Sequence, residues 1–184
     1  MSTLTAPAIS TWNIDPTHSV VEFKVKHMMI SNVKGHFTAV TGTLSLNEAD
    51  LTQSSVEAEI EITSIHTRDE NRDAHLKSAE FFDVEQFPKM LLKSTHIAVK
   101  SDGELDVTGD LTIKGITHSV TFAVEGPTQT SKDPWGNTRI GVEAKSKINR
   151  KDFGLTWNAA LETGGVMVGE EIAITLDLEF VKQA

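Results

Sequence analysis

The sequence predicts an all-β protein of about eight antiparallel strands closed into a barrel, with one helix inserted at about residues 69–82. Three observations carry this prediction. Apolar and polar residues alternate with period two through most of the chain. Clusters of turn-forming residues separate the alternating runs. One stretch, "TSIHTRDENRDAHLKSAEFFDVEQFP" at 63–88, breaks the pattern with dense charge and helical spacing.

Taken in order, residues 1–10 are small and polar with a proline and read as a flexible N-terminal arm, leaving 11–184 as a single barrel domain. In "HSVVEFKVKH", Val21, Phe23 and Val25 share one strand face, opposite Glu22, Lys24 and Lys26. In "VKGHFTAVTGTLSLNEAD" the apolar frame slips from Val33 and Phe37 to Val40, Leu44 and Leu46, which predicts a bulge or bend near Gly35 to Gly42. "SVEAEIEITSI" sets Val56, Ala58, Ile60 and Ile62 against three glutamates. "MLLKSTHIAVK" is less regular. Alternation returns at Val107, Leu111 and Ile113, at Val120, Phe122 and Val124, at Ile140, Val142, Ala144 and Ile148, and from Ile172 through Ile174, Leu176 and Leu178 to Phe180. "SDGE", "IKGIT" and "TSKDPWGNT" mark turns between runs. Strands of about ten residues favour a closed barrel over a sandwich, because closure removes long exposed edges.

Within the odd segment, Thr67 and Glu70 have the spacing of a capping box. Leu76, Ala79 and Phe82 follow at three-residue steps, and Pro88 ends the excursion. Such a helix would lay Leu76, Phe81, Phe82 and Phe87 over one barrel end. Asp69, Asp73 and His75, with His66, are the alternative catalytic or metal set, but Asp73 and His75 point about 200° apart on a helix. Arg68 and Arg72 offer local ion pairing instead.

Composition excludes several classes. The 184 residues suffice for one core, and the absence of cysteine removes disulfide and thiol chemistry. A net charge of −9 argues against nucleic acid and against an anionic membrane surface as partners. No run approaches a membrane span, and "MSTLTAPAISTWNID" lacks the basic and apolar regions of a signal peptide, which predicts a cytoplasmic protein, or a periplasmic one if a leader was removed.

Seven histidines (His18, His27, His36, His66, His75, His96 and His118) form no dense ligand motif, so no metal and no cofactor is expected; a pair brought together by the fold, such as His27 with His96, stays open. There is no nucleophile elbow, and "GGVMVGEE" lacks the context of a phosphate loop. Trp135, Phe153 and Trp157 lie near turns and read as barrel-end plugs. An eight-stranded barrel either fills with its own side chains or holds one small ligand, and an inward set of Val, Ile, Leu, Ala and Phe suits a long apolar guest. One five-carbon isoprene unit is worth roughly 3–4 kcal/mol at most, so four or more units outweigh an association cost of about 4–15 kcal/mol.

The sequence resembles the YceI-like family of polyisoprenoid-binding proteins from Trp12 to Phe180. The residues that carry the resemblance are "W-x-I-D-x-x-H-S-x-V-x-F-x-V-x-H" (Trp12 to His27), "V-x-G-x-F" (Val33 to Phe37), "NRDAHLKSAEFFDVEQFP", "GDLTIKGITHSVTF" and "INRKDFGLTWN". The resemblance implies an extended, lipocalin-like barrel around a hydrophobic channel, a long polyprenyl or related amphiphile inside, and no established catalytic residues. The expected function is therefore non-enzymatic carriage or sequestering of a long-chain isoprenoid lipid, quinone-like or polyprenyl. The expected lining is Val21, Phe23, Val25, Phe37, Ile60, Ile62, Phe82, Leu111, Ile113, Phe122, Val142, Ile174, Leu176 and Leu178, with Arg150, Lys151, Asn158 or Arg68 meeting a headgroup. A homodimer is also expected. The alternatives are an enzyme acting on the same amphiphile through a histidine-bound metal or a pocket base, and a module whose barrel is simply full.

Overall fold

The alternating runs become strands β1 (Ile9–Ile14), β2 (Val20–His27), β3 (Ser31–Phe37), β4 (Val40–Asn47), β5 (Ser55–Glu61), β6 (Ile65–His66), β7 (Lys89–Ser101), β8 (Glu104–Ile113), β9 (Ile116–Glu125), β10 (Ser131–Lys132), β11 (Thr138–Asn149) and β12 (Val168–Lys182). These come from a computed structural model that describes residues 8–184. Residues 1–7 of the expected arm lie outside the described residues, and Ile9 and Ser10 already belong to β1.

Antiparallel neighbours run β11, β9, β8, β7, β5, β4, β1, β12 and back to β11, which closes an eight-stranded barrel. The remaining strands are continuations around bends. Both β1 and β2 pair with β12 in one line, Ile14 opposite Phe180 and Val21 opposite Leu176, so they form a single long strand interrupted at Asp15–Ser19. The frame slip foreseen between Phe37 and Val40 is the break between β3 and β4. There the backbone N–H groups of Thr38 and Ala39 turn to the Ser64 hydroxyl at 3.2 and 3.1 Å. The irregular strand β7 carries a register shift between Ser94 and His96, which moves the inward row from Met90 and Leu92 to Ile97.

The inserted helix is shorter than its sequence spacing suggests. Helix α1 spans Glu70–Lys77, and Asp69, not Thr67, caps it by accepting from the Arg72 N–H at 3.0 Å. It stops at Ser78, which is extended and whose hydroxyl bonds the His75 carbonyl. The Phe82 N–H then returns to the Leu76 carbonyl at 3.0 Å, so Phe81 and Phe82 sit on a turn, and Ala79 is exposed. Thr67 is buried and holds Asp73 through its N–H (2.9 Å) and hydroxyl (2.5 Å), while Arg72 donates to the Thr67 hydroxyl and carbonyl. Arg72 thus serves Thr67, where ion pairing with the helix aspartates was expected. No helix of the described residues is long and apolar enough to cross a membrane.

Candidate functional site

The inward rows of the strands enclose an elongated cavity of about 240 Å³, so the barrel is not full. At one end it is bounded by Leu76, Phe81 and Phe82 of the insertion and by Arg150 and Leu155, which follow β11; at the other by Leu51, Ser54, Leu105 and Pro127. Its wall is almost wholly apolar, with Glu22, Ser54 and Arg150 as the polar exceptions. Ser54 is occupied, accepting from the Asn47 N–H at 2.9 Å.

Of the residues expected to line such a channel, Val21, Phe23, Phe37, Ile60, Phe82, Leu111, Ile113, Phe122, Val142, Ile174, Leu176 and Leu178 face the cavity. Two do not. Ile62 is fully buried in the core, but β5 ends at Glu61, and Ile62 opens a 3-10 turn with its N–H on the Pro88 carbonyl, so strand alternation no longer aims it inward. Val25 is half-buried and lies one inward position past Phe23 toward the β2–β3 turn, outside the cavity wall. Sequence reasoning also passed over Met90, Leu92 and Ile97, which line the cavity from β7; the register shift hides them from a strict period of two.

Arg150 is 3% exposed, and its guanidinium donates to the carbonyls of Gly169 (2.7 Å), Leu155 (2.5 Å), Trp157 (3.0 Å) and Val168 (3.3 Å). Burial pulls its pKa down, and the charge of Glu170 works against this. Its donors fasten the loop after β11 to the start of β12. The other residues expected at a headgroup are employed elsewhere or exposed. Lys151 pairs with Glu170 at 2.6 Å, Asn158 is bonded on both sides to the Val168 backbone, and Arg68 is exposed.

The catalytic alternative finds little geometry. Asp69 is a cap, Asp73 is taken by Thr67, and His75 pairs with Glu80 and packs edge-on against Trp157. His27 and His96 sit on β2 and β7, which are not neighbours in the sheet. Asp15, His18 and Glu179 place potential ligand atoms within 4.8 Å of one another. Between the two carboxylates, however, lies the Arg139 guanidinium, with Nη1 2.6 Å from Asp15 and 2.7 Å from Glu179. A cation already fills that place.

The YceI-like domain family matches residues 12–180. The chain belongs to this family. Among curated relatives of this YceI-like protein, UPF0312 protein SAS2572 of Staphylococcus aureus (strain MSSA476) is 39% identical over 173 residues, 94% of this chain and 98% of the relative. UPF0312 protein SERP2314 of Staphylococcus epidermidis is 41% identical over 170 residues, covering 92% and 96%. Among solved structures, BcnA of Burkholderia cenocepacia superposes with a TM-score of 0.77 at 23% identity, covering 90% of this chain and 98% of that one. A polyisoprenoid binding domain from Saccharophagus degradans, implicated in plant cell wall breakdown, gives 0.69 at 15%, covering 96% and 100%. At these identities the structures establish the shared fold. The YceI-like barrel is a hydrophobic container suited to a lipid or amphiphile.

Proposed function

We propose that this YceI-like protein binds and carries a long-chain isoprenoid lipid along the barrel axis. The observation that carries the reading is the elongated, apolar cavity bounded at one end by the helical insertion. Branched side chains from β8, β11 and β12, such as Ile113, Val142 and Ile174, line its wall together with the rings of Phe23, Phe37 and Phe122. Such a lining offers dispersion contacts to methyl-branched chains and few polar partners, Glu22, Ser54 and Arg150. The polyisoprenoid binding domain of similar fold supports the choice of an isoprenoid. The wall presents no nucleophile paired with a base among the described residues, and the reading is therefore retention of a guest.

Organic extraction of the freshly purified protein, with mass spectrometry of the extract and native mass spectrometry of the intact chain, tests this. One isoprenoid species at near one per chain is expected. A straight-chain lipid in its place overturns the isoprenoid assignment, and a bare chain that also takes up no added prenol overturns carriage.

A further inference from the structure

We propose that the β2–β3 hairpin docks the barrel on an anionic lipid surface. Its tip is Met28-Met29-Ile30, with Met29 63% and Ile30 79% exposed. Met28 and Met29 have φ of 52° and 58°, and the Ile30 N–H closes the turn on the His27 carbonyl at 3.0 Å. Two consecutive positive φ values are the mark of a type I′ turn, which strongly favours Asn-Gly. Unbranched or not, a long side chain at such a position is uncommon, and two in succession oppose both local stability and solubility. The chain nevertheless holds an apolar point there.

Behind the point the charge reverses relative to the rest of the protein. Residues 23–36 contain Lys24, Lys26 and Lys34 and no carboxylate, in a chain of net charge −9. The register sets Lys24 directly opposite Lys34, where like charges repel. Elsewhere Lys89, Lys93, Lys100, Lys147 and Lys151 each pair with a carboxylate, while Lys132, Lys145 and Lys182 stand singly on β10, β11 and β12 and form no cluster. The three hairpin lysines are in no ion pair among the described residues. The net charge that argued against an anionic surface thus conceals a local positive field.

The depths match a bilayer interface. At about 3.3 Å per residue, Lys26 stands roughly 7 Å behind Met28, and Lys24 and Lys34 roughly 13 Å behind the tip. A tip sunk about 5–10 Å into the headgroup boundary brings these amines to the phosphates. A three-residue point is too small for the roughly 1,000 Å² that a stable protein interface needs. The tip also lies toward the end of the cavity that the helical insertion bounds. The Met28 N–H bonds the Met167 carbonyl (2.7 Å), the Met167 N–H bonds Ala159 (2.9 Å), and Trp157 of the same loop packs on Phe81 (5.3 Å). A barrel held by this hairpin presents its helical insertion to the membrane. Docking rests on the hairpin alone; only its use for lipid exchange rests on the carrier reading.

The test is sedimentation of the whole chain with vesicles of phosphatidylcholine alone and of phosphatidylcholine with phosphatidylglycerol in equal parts. Binding to the anionic vesicles only, weakened by salt, is expected. K24Q/K26Q/K34Q should lose affinity by about fivefold per lysine. M28N/M29G, which suits the turn, should lose binding with an unchanged or higher Tm. A wild-type chain that stays in the supernatant, or variants that bind like wild type, overturns the proposal, as does hairpin-dependent self-association without vesicle binding. An empty cavity in a chain that still binds vesicles refutes carriage and leaves docking standing.

Discussion

Phe23 and Gly35 face each other across β2 and β3, and the ring of Phe23 lies so far over Gly35 that a β-carbon there would come within 2.3 Å of its Cζ. The missing side chain at residue 35 is what lets Phe23 lie against the sheet and form part of the cavity wall. Thr67 Cγ2 would also stand 2.9 Å from that β-carbon, so the ring has no easy retreat. Gly35→Ala is therefore expected to destabilise the fold by about 1–3 kcal/mol through overpacking. It should also push Phe23 into the cavity and weaken uptake of a prenol. Urea unfolding and a fluorescent-lipid displacement assay read the two effects, and an unaltered affinity would remove Phe23 from the wall that touches the guest.

Phe82 tests the insertion. Its ring borders the cavity and meets Phe37 edge-on at 6.3 Å between centroids. Phe82→Glu places a carboxylate where a hydrocarbon chain would end, and burying that charge beside a guest is costly. Lipid uptake should fall by about tenfold or more, a penalty of about 1.4 kcal/mol or more, with the far-ultraviolet circular dichroism of the barrel retained. Equal uptake by variant and wild type would show that the guest does not reach the insertion.

Most of the barrel was legible because its strands are one-sided. Wherever alternation was unbroken, as from Ile172 to Phe180, the face read from sequence is the face lining the cavity. Val25 lies on a regular strand and only falls beyond the cavity's end; the other errors fall where the backbone leaves the regular strand. Ile62 continues an alternating run on paper, yet the 3-10 turn after Glu61 redirects it. The capping box at Thr67 was plausible locally, but Asp69 caps and Thr67 is drawn into the interior to hold Asp73. Such choices are settled by tertiary partners far along the chain, Pro88 for Ile62 and the Phe23–Gly35 pair beside Thr67, which local spacing does not contain.

The wall between β9 and β11 is its weakest seam. These strands pair only at Glu125, Val124 and Ala123 opposite Glu143, Ala144 and Lys145. Toward the end bounded by the helical insertion the backbone ladder gives way to side-chain links, Ser146 hydroxyl to the Thr121 carbonyl at 2.7 Å and the His118 ring to the Asp152 carbonyl at 2.9 Å. Amide hydrogen exchange along β11 from Lys147 to Asn149 on the β9 side should be faster than in the β7–β8 ladder. Uniform protection around the barrel would contradict an open seam.

Arg150 holds four carbonyls with one side chain, and no other cation on the wall could replace it. Lysine keeps the charge but cannot reach carbonyls of Leu155, Trp157, Val168 and Gly169 together. Arg150→Lys is expected to cost about 2–4 kcal/mol, since hydrogen bonds to charged groups are lost and buried carbonyls are left unmet. Chemical denaturation measures this; a change below about 0.5 kcal/mol, typical of a surface site, would mean that the loop is held by other contacts.

Acid stability should depend on Arg139. Its Nη1 donates to Asp15 and Glu179, and its Nε donates to Asp133 at 2.7 Å. The Thr17 hydroxyl, then Arg139 and His18, hold the Asp15 carboxyl well below the usual carboxylate range. At Asp133 burial favours the neutral acid, but hydrogen bonds from Asn137, from Arg139 and from the backbone N–H groups of Asn137 and Trp135 outweigh it, and its pKa also falls. Both groups therefore bind protons more weakly in the folded chain than in the unfolded one, where an aspartate titrates near about 3.9. Their stabilisation is complete above that value and is lost as pH falls below it toward the lower folded values. The Tm of the wild type should hold from neutrality to about pH 5 and then decline. Arg139→Gln should lower the Tm at neutral pH and flatten the decline below about pH 4, because less of the depression remains to be lost. Parallel Tm curves for the two proteins across the acid range would show that Arg139 does not set these carboxylates.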